Sequence, residues 1–416
     1  MIVRALLDQL IDVGRNPVSG GYDRLAWTSA DADCRTWFLQ SARSLELDVE
    51  LDRNGNLWAW WYPGLAGKAL VVGSHLDSVP SGGAYDGPLG VASAFAAVEA
   101  LQREGVVPAR PVAIVAFADE EGARFGVACA GSRLMTGALD ADRARRLLDS
   151  DGISLAEAMT SAGQSANFLG PDSERLQRIG EFIELHVEQG HFPSSEGHEG
   201  LGNAPVGLAS QIWPHGRWRV DVAGQQNHAG TTALADRDDP MLGLARVILA
   251  VRAAAEHAGA IATVGKVQVR PGAVNAIAAS ASAWVDVRSA DEARTRRVLD
   301  EVTLATGLPV VEESWTAATL FDASLAQLLA APLQRVTGVP LPLLPSGAGH
   351  DAGVLALAGI PTAMILVRNP SGISHSPEEY AEDADCELGA AALAEAIRVR
   401  TRLSGLEGIS ELGRPR

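Results

Sequence analysis

ALVVGSHLDSVPSGGAYDGPLGVASAFAAVEALQRE, residues 69–104, passes from an apolar run through a polar, glycine-rich turn into a segment of helical period. Residues 69–73 suit a buried strand, and Leu89, Ala92, Phe95, Ala96 and Val98 recur near helical spacing within 87–104. The unit is therefore strand, turn, helix. Outward from it, 57–62, 112–117 and 182–187 read as further strands between helical stretches, the pattern of an α/β domain with a largely parallel sheet. The same grammar resumes late in the chain, with a helix over 351–358, a stop at Gly359, and a strand over 362–367 after Pro361.

Between these parts the order of elements changes. Residues 217–222, 261–269, 281–287 and 309–313 read as strands, and 240–257 and 291–306 as helices, giving βαββαβ. That is the order of a ferredoxin-like α/β sandwich. The chain is expected to be an α/β domain in two parts, 1–207 and 318–416, with a smaller α/β sandwich inserted at 208–317. The Gly/Ser/Pro-containing stretch 192–207 is the expected hinge.

The 416 residues carry 34 basic and 51 acidic side chains, a formal net charge of -17, which argues against nucleic acid as a partner. An apolar share of 47% supplies material for a large core and excludes global disorder. Cys34, Cys129 and Cys386 are widely separated, so neither a disulfide framework nor a thiolate zinc knuckle is expected, and a reducing cytoplasm fits. The first twelve residues interrupt their apolar positions with Arg4, Asp8 and Asp12, as in an amphipathic helix rather than a signal peptide. The most apolar uncharged stretch, 352–367, is too short to span a bilayer.

Four polar clusters fall at or just after expected strands: Gly73–Asp77 continuing to Asp86, then Asp119–Glu121, His186, and His375. In open parallel sheets, ligands bind at the carboxyl ends of strands. Together the clusters supply imidazole and carboxylate but no thiolate, which suits one or two divalent ions of the zinc, manganese or cobalt kind.

The motifs GSHLDSV (73–79), GGAYDG (82–87), ADEEGARF (118–125), ELHVEQG (184–190), NHAGTT (227–232), GAGHDA (347–352) and GISHSP (372–377) follow in this order. The chain thereby resembles the dimetal aminoacylase/carboxypeptidase superfamily. Within it, the resemblance is to the branch of allantoate amidohydrolases, N-carbamoyl-L-amino-acid hydrolases and β-ureidopropionases. It implies a dimetal-exopeptidase-like catalytic domain whose inserted sandwich serves as lid and dimerisation domain, hence a homodimer. It also implies two divalent ions per subunit, manganese or zinc, with cobalt or nickel acceptable. Asp86 would bridge them, His75 and His186 would complete one site, and Glu121 and His375 the other. Asp77 would hold the His75 ring or orient the neighbouring glutamate, and Glu120 would be the general base, the alternative being an acidic turn. Asp119 reads as such a turn.

The same resemblance makes His228 the group that stabilises the oxyanion, often at a neighbouring subunit's site, against an ordinary turn histidine. Asn275 and Arg288 would bind the substrate carboxylate. Arg288 shares the period-two face of Asp286, so an internal pair is its alternative. Gln189 would donate to substrate or be a surface residue, and His350 and Asp351 would shape the pocket or cap a helix. His191, His198, His215 and His257 have no partner motif and read as surface or loop residues, and Cys129 reads as a packed small residue. His186, where peptidase members place a carboxylate, favours a small anionic ureido substrate. The implied reaction is allantoate to ureidoglycine with ammonia and carbon dioxide, a step of purine nitrogen recovery. N-carbamoyl-L-amino acids or N-carbamoyl-β-alanine are the alternative substrates, and a metallo-dipeptidase or aminoacylase the more distant one. Ala233-Leu234 departs from the Pro-Met common in relatives and puts the lid loop's shape in doubt.

Overall fold

The computed structural model describes residues 2–191 and 200–402. Residues 192–199 of the expected hinge, His198 among them, lie outside the described residues. The chain divides into two compact units, Met1–Ser210 with Leu320–Arg416, and Gln211–Thr319. No helix among the described residues is long and apolar enough to cross a membrane.

The first unit is built on a mixed sheet with nine strands among the described residues. Its middle strands, Val112–Phe117, Ala69–His75, Ile179–Val187 and Thr362–Val367, lie side by side and parallel. Leu57–Trp61 and Val206–Ile212 flank them antiparallel. Every residue of Val112–Phe117 and Thr362–Val367 is buried, as continuous apolar runs covered on both faces must be. Each follows directly on a proline, Pro111 or Pro361, which starts a strand without an N–H to satisfy.

Helix Pro88–Arg103, entered through Gly87 with Pro88 in its first turn, packs on this sheet with Ile2–Asp8 and Asp383–Arg400 beside it. Phe95 meets Phe38 and Trp37 edge-on, with ring centroids 5.1 and 5.8 Å apart. Such pairs add about 0.5–1.5 kcal/mol each beyond the area they bury. Helices Ala130–Thr136 and Asp351–Leu357 pack against each other elsewhere on this unit. Because the middle strands are parallel, their carboxyl ends emerge together, and the polar clusters emerge with them.

The second unit is a four-stranded antiparallel sheet in the order Val310–Thr316, His215–Ala223, Ser280–Arg288, Ile261–Arg270. Numbered along the chain this is 4-1-3-2, the ferredoxin-like arrangement. Helices Pro240–Ala258 and Glu292–Thr306 begin where Asp239 and Asp291 accept backbone N–H groups and end at Gly259 and Gly307. Along Ser280–Arg288 burial alternates, so Ala281, Ala283, Val285 and Val287 enter the core with Val247, Val251 and Val298. Trp284, Asp286 and Arg288 take the other face.

Candidate metal centre

His75 closes strand Ala69–His75, His186 is the penultimate residue of Ile179–Val187, and Asp86 sits in the turn before helix Pro88–Arg103. Asp86 Oδ1 lies 3.4 Å from His75 Nε2 and 3.1 Å from His186 Nε2. Its Oδ2 lies 3.3 Å from His375 Nε2, and Glu121 Oε2 approaches the same nitrogen at 3.4 Å. One carboxylate thus faces two imidazoles with one oxygen and a third imidazole with the other. Two groups of donors result, His75–Asp86–His186 and Asp86–Glu121–His375, each close enough to hold an ion.

The rings are held from behind. His75 Nδ1 meets the carbonyl of Asp77 at 3.1 Å, and His186 Nδ1 meets that of Val187 at 2.9 Å. A carbonyl only accepts, so each Nδ1 carries the proton and each Nε2 faces Asp86. Gly87, at φ +84°, is required here, because a Cβ would stand 2.5 Å from the His75 ring. Asp77 accepts the backbone N–H of Glu120 with Oδ1 and that of Glu121 with Oδ2, both at 3.1 Å. Its carboxylate stays 3.6 Å from His75 Nδ1, so it orients the glutamate pair and leaves the ring to its own carbonyl. Glu120 brings Oε2 to 3.8 Å from His75 Nε2, and its Oε1 accepts the Cys129 thiol at 3.3 Å. Cys129 is packed as expected, with this contact added.

The electrostatics call for positive charge. Asp77, Asp86, Asp119, Glu120, Glu184 and Asp351 are all buried, outnumbering the buried imidazoles His75, His186 and His350. Burial would raise Asp86, but the imidazoles of His186, His375 and His75 gathered around it hold it well below the usual carboxylate range. Burial pushes Glu120 well up, and burial with the Asp86 charge brings Glu121 to about 7. Burial opposes protonation of His375, yet its bond to Asp86 and the charge of Glu121 win, bringing it to about 9. Either protons or cations must balance such a cluster. Among the described residues, His75 Nε2 and Glu121 Oε1 are buried without a hydrogen-bond partner, and both residues belong to the donor groups. The residues fit a pair of divalent ions with nitrogen and oxygen ligands.

Asp119 stands differently from expectation, and the other candidates gain defined partners. Asp119 is no solvated turn: it is buried at φ +53°, neither carboxylate oxygen has a hydrogen-bond partner among the described residues, and burial drives it well above the usual range. Gln189 donates to Asp86 Oδ2 at 2.7 Å and to Ser374 Oγ at 3.1 Å, so its N–H groups already serve the carboxylate shared by the two donor groups. His350 and Asp351 do not cap their helix with side chains; His350 packs on His186 with ring centroids 4.6 Å apart, and Asp351 accepts from Ser132. His191 bonds the carbonyl of Asn369, and His257 pairs with Glu301.

Glu184 and Glu379, buried beside the site, carry no expectation from the sequence. Glu184 accepts from Ser74 and from the backbone of Ala352, tying strand to helix, and with His186 and His350 it forms a third group of donors close enough to hold an ion. Glu379 accepts the backbone N–H groups of Tyr85 and Asp86. Its only sequence signal was a position four residues beyond His375.

In the second unit, Asn227–His228 pairs with Ala276–Ile277, and Ala229 N–H donates to the Asn275 carbonyl, bringing His228 and Asn275 together. His228 Nδ1 accepts from Gly230 and Thr231, which leaves the proton on Nε2 of this exposed ring. Arg288 lies on the main sheet, bidentate with Asp286 at 2.7 and 3.1 Å.

Fold and site together define the class, a metal-dependent hydrolase of amide bonds. The chain belongs to Peptidase family M20/M25/M40, whose profile matches residues 71–399. It is 35% identical to an N-carbamoyl-L-amino acid amidohydrolase of Geobacillus stearothermophilus, over 93% of this chain and 95% of that protein. It is 29% identical to the allantoate amidohydrolase of Escherichia coli strain K12, over 94% of this chain and 96% of that protein. A crystal structure of an amidase of the hydantoinase/carbamoylase family from Burkholderia vietnamiensis superposes with a TM-score of 0.86 at 29% identity, covering 96% of this chain and 97% of that one.

Proposed function

We propose that the chain hydrolyses the terminal carbamoyl group of an α-ureido carboxylate, with allantoate first among candidates and N-carbamoyl-L-amino acids next. Both molecules carry a carboxylate on the carbon that bears the ureido nitrogen, which is the chemistry common to the two relatives' names. The observation that carries the reading is the division of Asp86 between His75 and His186 on one oxygen and His375 on the other.

A pair of divalent cations, manganese or zinc, or else cobalt or nickel, supplies Lewis acidity and lowers the pKa of water when bound. His75 and His186 would hold one, Glu121 and His375 the other, and Asp86 both. Glu120 takes a proton from the attacking water and returns it to the leaving nitrogen. Asp77 holds the backbone N–H groups of Glu120 and Glu121 and so fixes the segment that carries both side chains. His228, with its proton on Nε2, is the proposed donor to the oxyanion, and Asn275 and Arg288 the proposed anchors of the substrate carboxylate. A homodimer through the second unit and a cytoplasmic setting complete the proposal, the latter in keeping with three buried free thiols.

The test is an ammonia-release panel on manganese-loaded protein: allantoate, N-carbamoyl-L-amino acids and N-carbamoyl-β-alanine, with an N-acetyl amino acid and a dipeptide as controls. Ammonia from the α-ureido carboxylates supports the reading. Ammonia from none of them refutes it, and free amino acid from the controls alone selects an aminoacylase or dipeptidase.

A further inference from the structure

We propose that Glu379 is a positioning residue that locks the Asp86 loop and the His375 loop into one rigid unit, an inference resting on the reading of Asp86 as the shared metal ligand. Glu379 is 5% exposed and lies 293 residues from Asp86 in the chain. Its Oε1 accepts the N–H groups of both Tyr85 and Asp86 at 2.9 Å. Its Oε2 accepts the Ser374 hydroxyl at 3.0 Å. Ser374 Oγ in turn accepts from Gln189 and stands 3.4 Å from Asp86 Oδ2. Two N–H groups converging on one oxygen fix the peptide planes that aim the Asp86 side chain.

Two further features show that the loops are shaped around this carboxylate. A Cβ on Gly83 would stand 2.2 Å from Glu379 Oε1 and 2.5 Å from Glu379 Cβ, so only glycine admits the side chain under the loop. His375, next to the Ser374 that Glu379 holds, sits at φ +56°, a backbone conformation that a non-glycine residue keeps only when its surroundings over-determine it. One buried side chain thereby sets both the carboxylate that faces three imidazoles and one of those imidazoles. Loss of a group that orients metal ligands typically weakens metal affinity about 10–100-fold.

The experiment compares metal-stripped full-length wild type, Glu379→Gln, Glu379→Asp and Ser374→Ala, each checked for folding by circular dichroism and titrated with manganese alone. Gln keeps the reach and an accepting oxygen; Asp keeps the charge but withdraws the oxygens by one methylene. Positioning predicts near wild-type manganese affinity for Glu379→Gln and a loss of at least about tenfold for Glu379→Asp. Should Glu379→Asp fail to fold, Ser374→Ala must show a weaker affinity in the same direction. Wild-type affinity in Glu379→Asp, or in Ser374→Ala if that alone is folded, overturns the proposal, as does loss in Glu379→Gln with retention in Glu379→Asp. Failure of wild type itself to bind two manganese ions would instead sink the reading of Asp86.

Discussion

Asp77 and Glu120 are joined through the backbone: the Asp77 Oδ1 atom accepts the Glu120 N–H at 3.1 Å, while its Oδ2 takes the next N–H along. Asp77→Asn turns one of those acceptors into a donor facing an N–H. Turnover is expected to fall on the order of 10–100-fold with the fold retained, measured as kcat beside circular dichroism. Unchanged kcat would remove Asp77 from the positioning of Glu120.

Glu120 is the proposed proton carrier and is absent from both donor groups around Asp86. Glu120→Gln is therefore expected to lose about 10²–10⁴-fold in kcat while still taking up metal. Loss of metal together with activity would reassign it as a ligand.

Gly87 carries a sharper steric requirement. A methyl at this position lands on the His75 ring and must be borne at φ +84°. Gly87→Ala should weaken manganese binding at least about tenfold, read by titration of the stripped protein. Wild-type affinity would show that His75 does not need its observed place.

Away from the site, Glu181 accepts from Arg400 at 2.6 and 3.0 Å and from Arg110 at 2.6 Å. Burial raises its pKa, but the Arg400 hydrogen bonds and the Arg110 charge outweigh this and bring it below the usual 4.5. Stability from this group is thus fully present above about pH 4.5 and lost as pH falls through the depressed folded value. In urea melts, Glu181→Gln should be less stable than wild type at pH 7, and the gap should narrow below pH 4.5. A gap independent of pH would contradict the assignment.

The fold was legible wherever local pattern and burial agree. Pro361 marks the start of a fully buried strand, and the alternation of Ser280–Arg288 shows which face carries Arg288. Asp119, Glu184 and Glu379 were opaque for a different reason. Acids in sequence look solvated, and only folding places Glu184 against Ser74 and Ala352, or Glu379 beneath Tyr85 and Asp86. Gln189 shows the same limit, since its donor atoms face a carboxylate 103 residues away.

The most direct measurement is metal content per chain by mass spectrometry after manganese loading and dialysis, for wild type and Asp86→Ala. Two ions in wild type and severe loss of both in the variant are predicted, because one carboxylate faces both donor groups. No bound ion in wild type, or two retained without Asp86, would contradict the account.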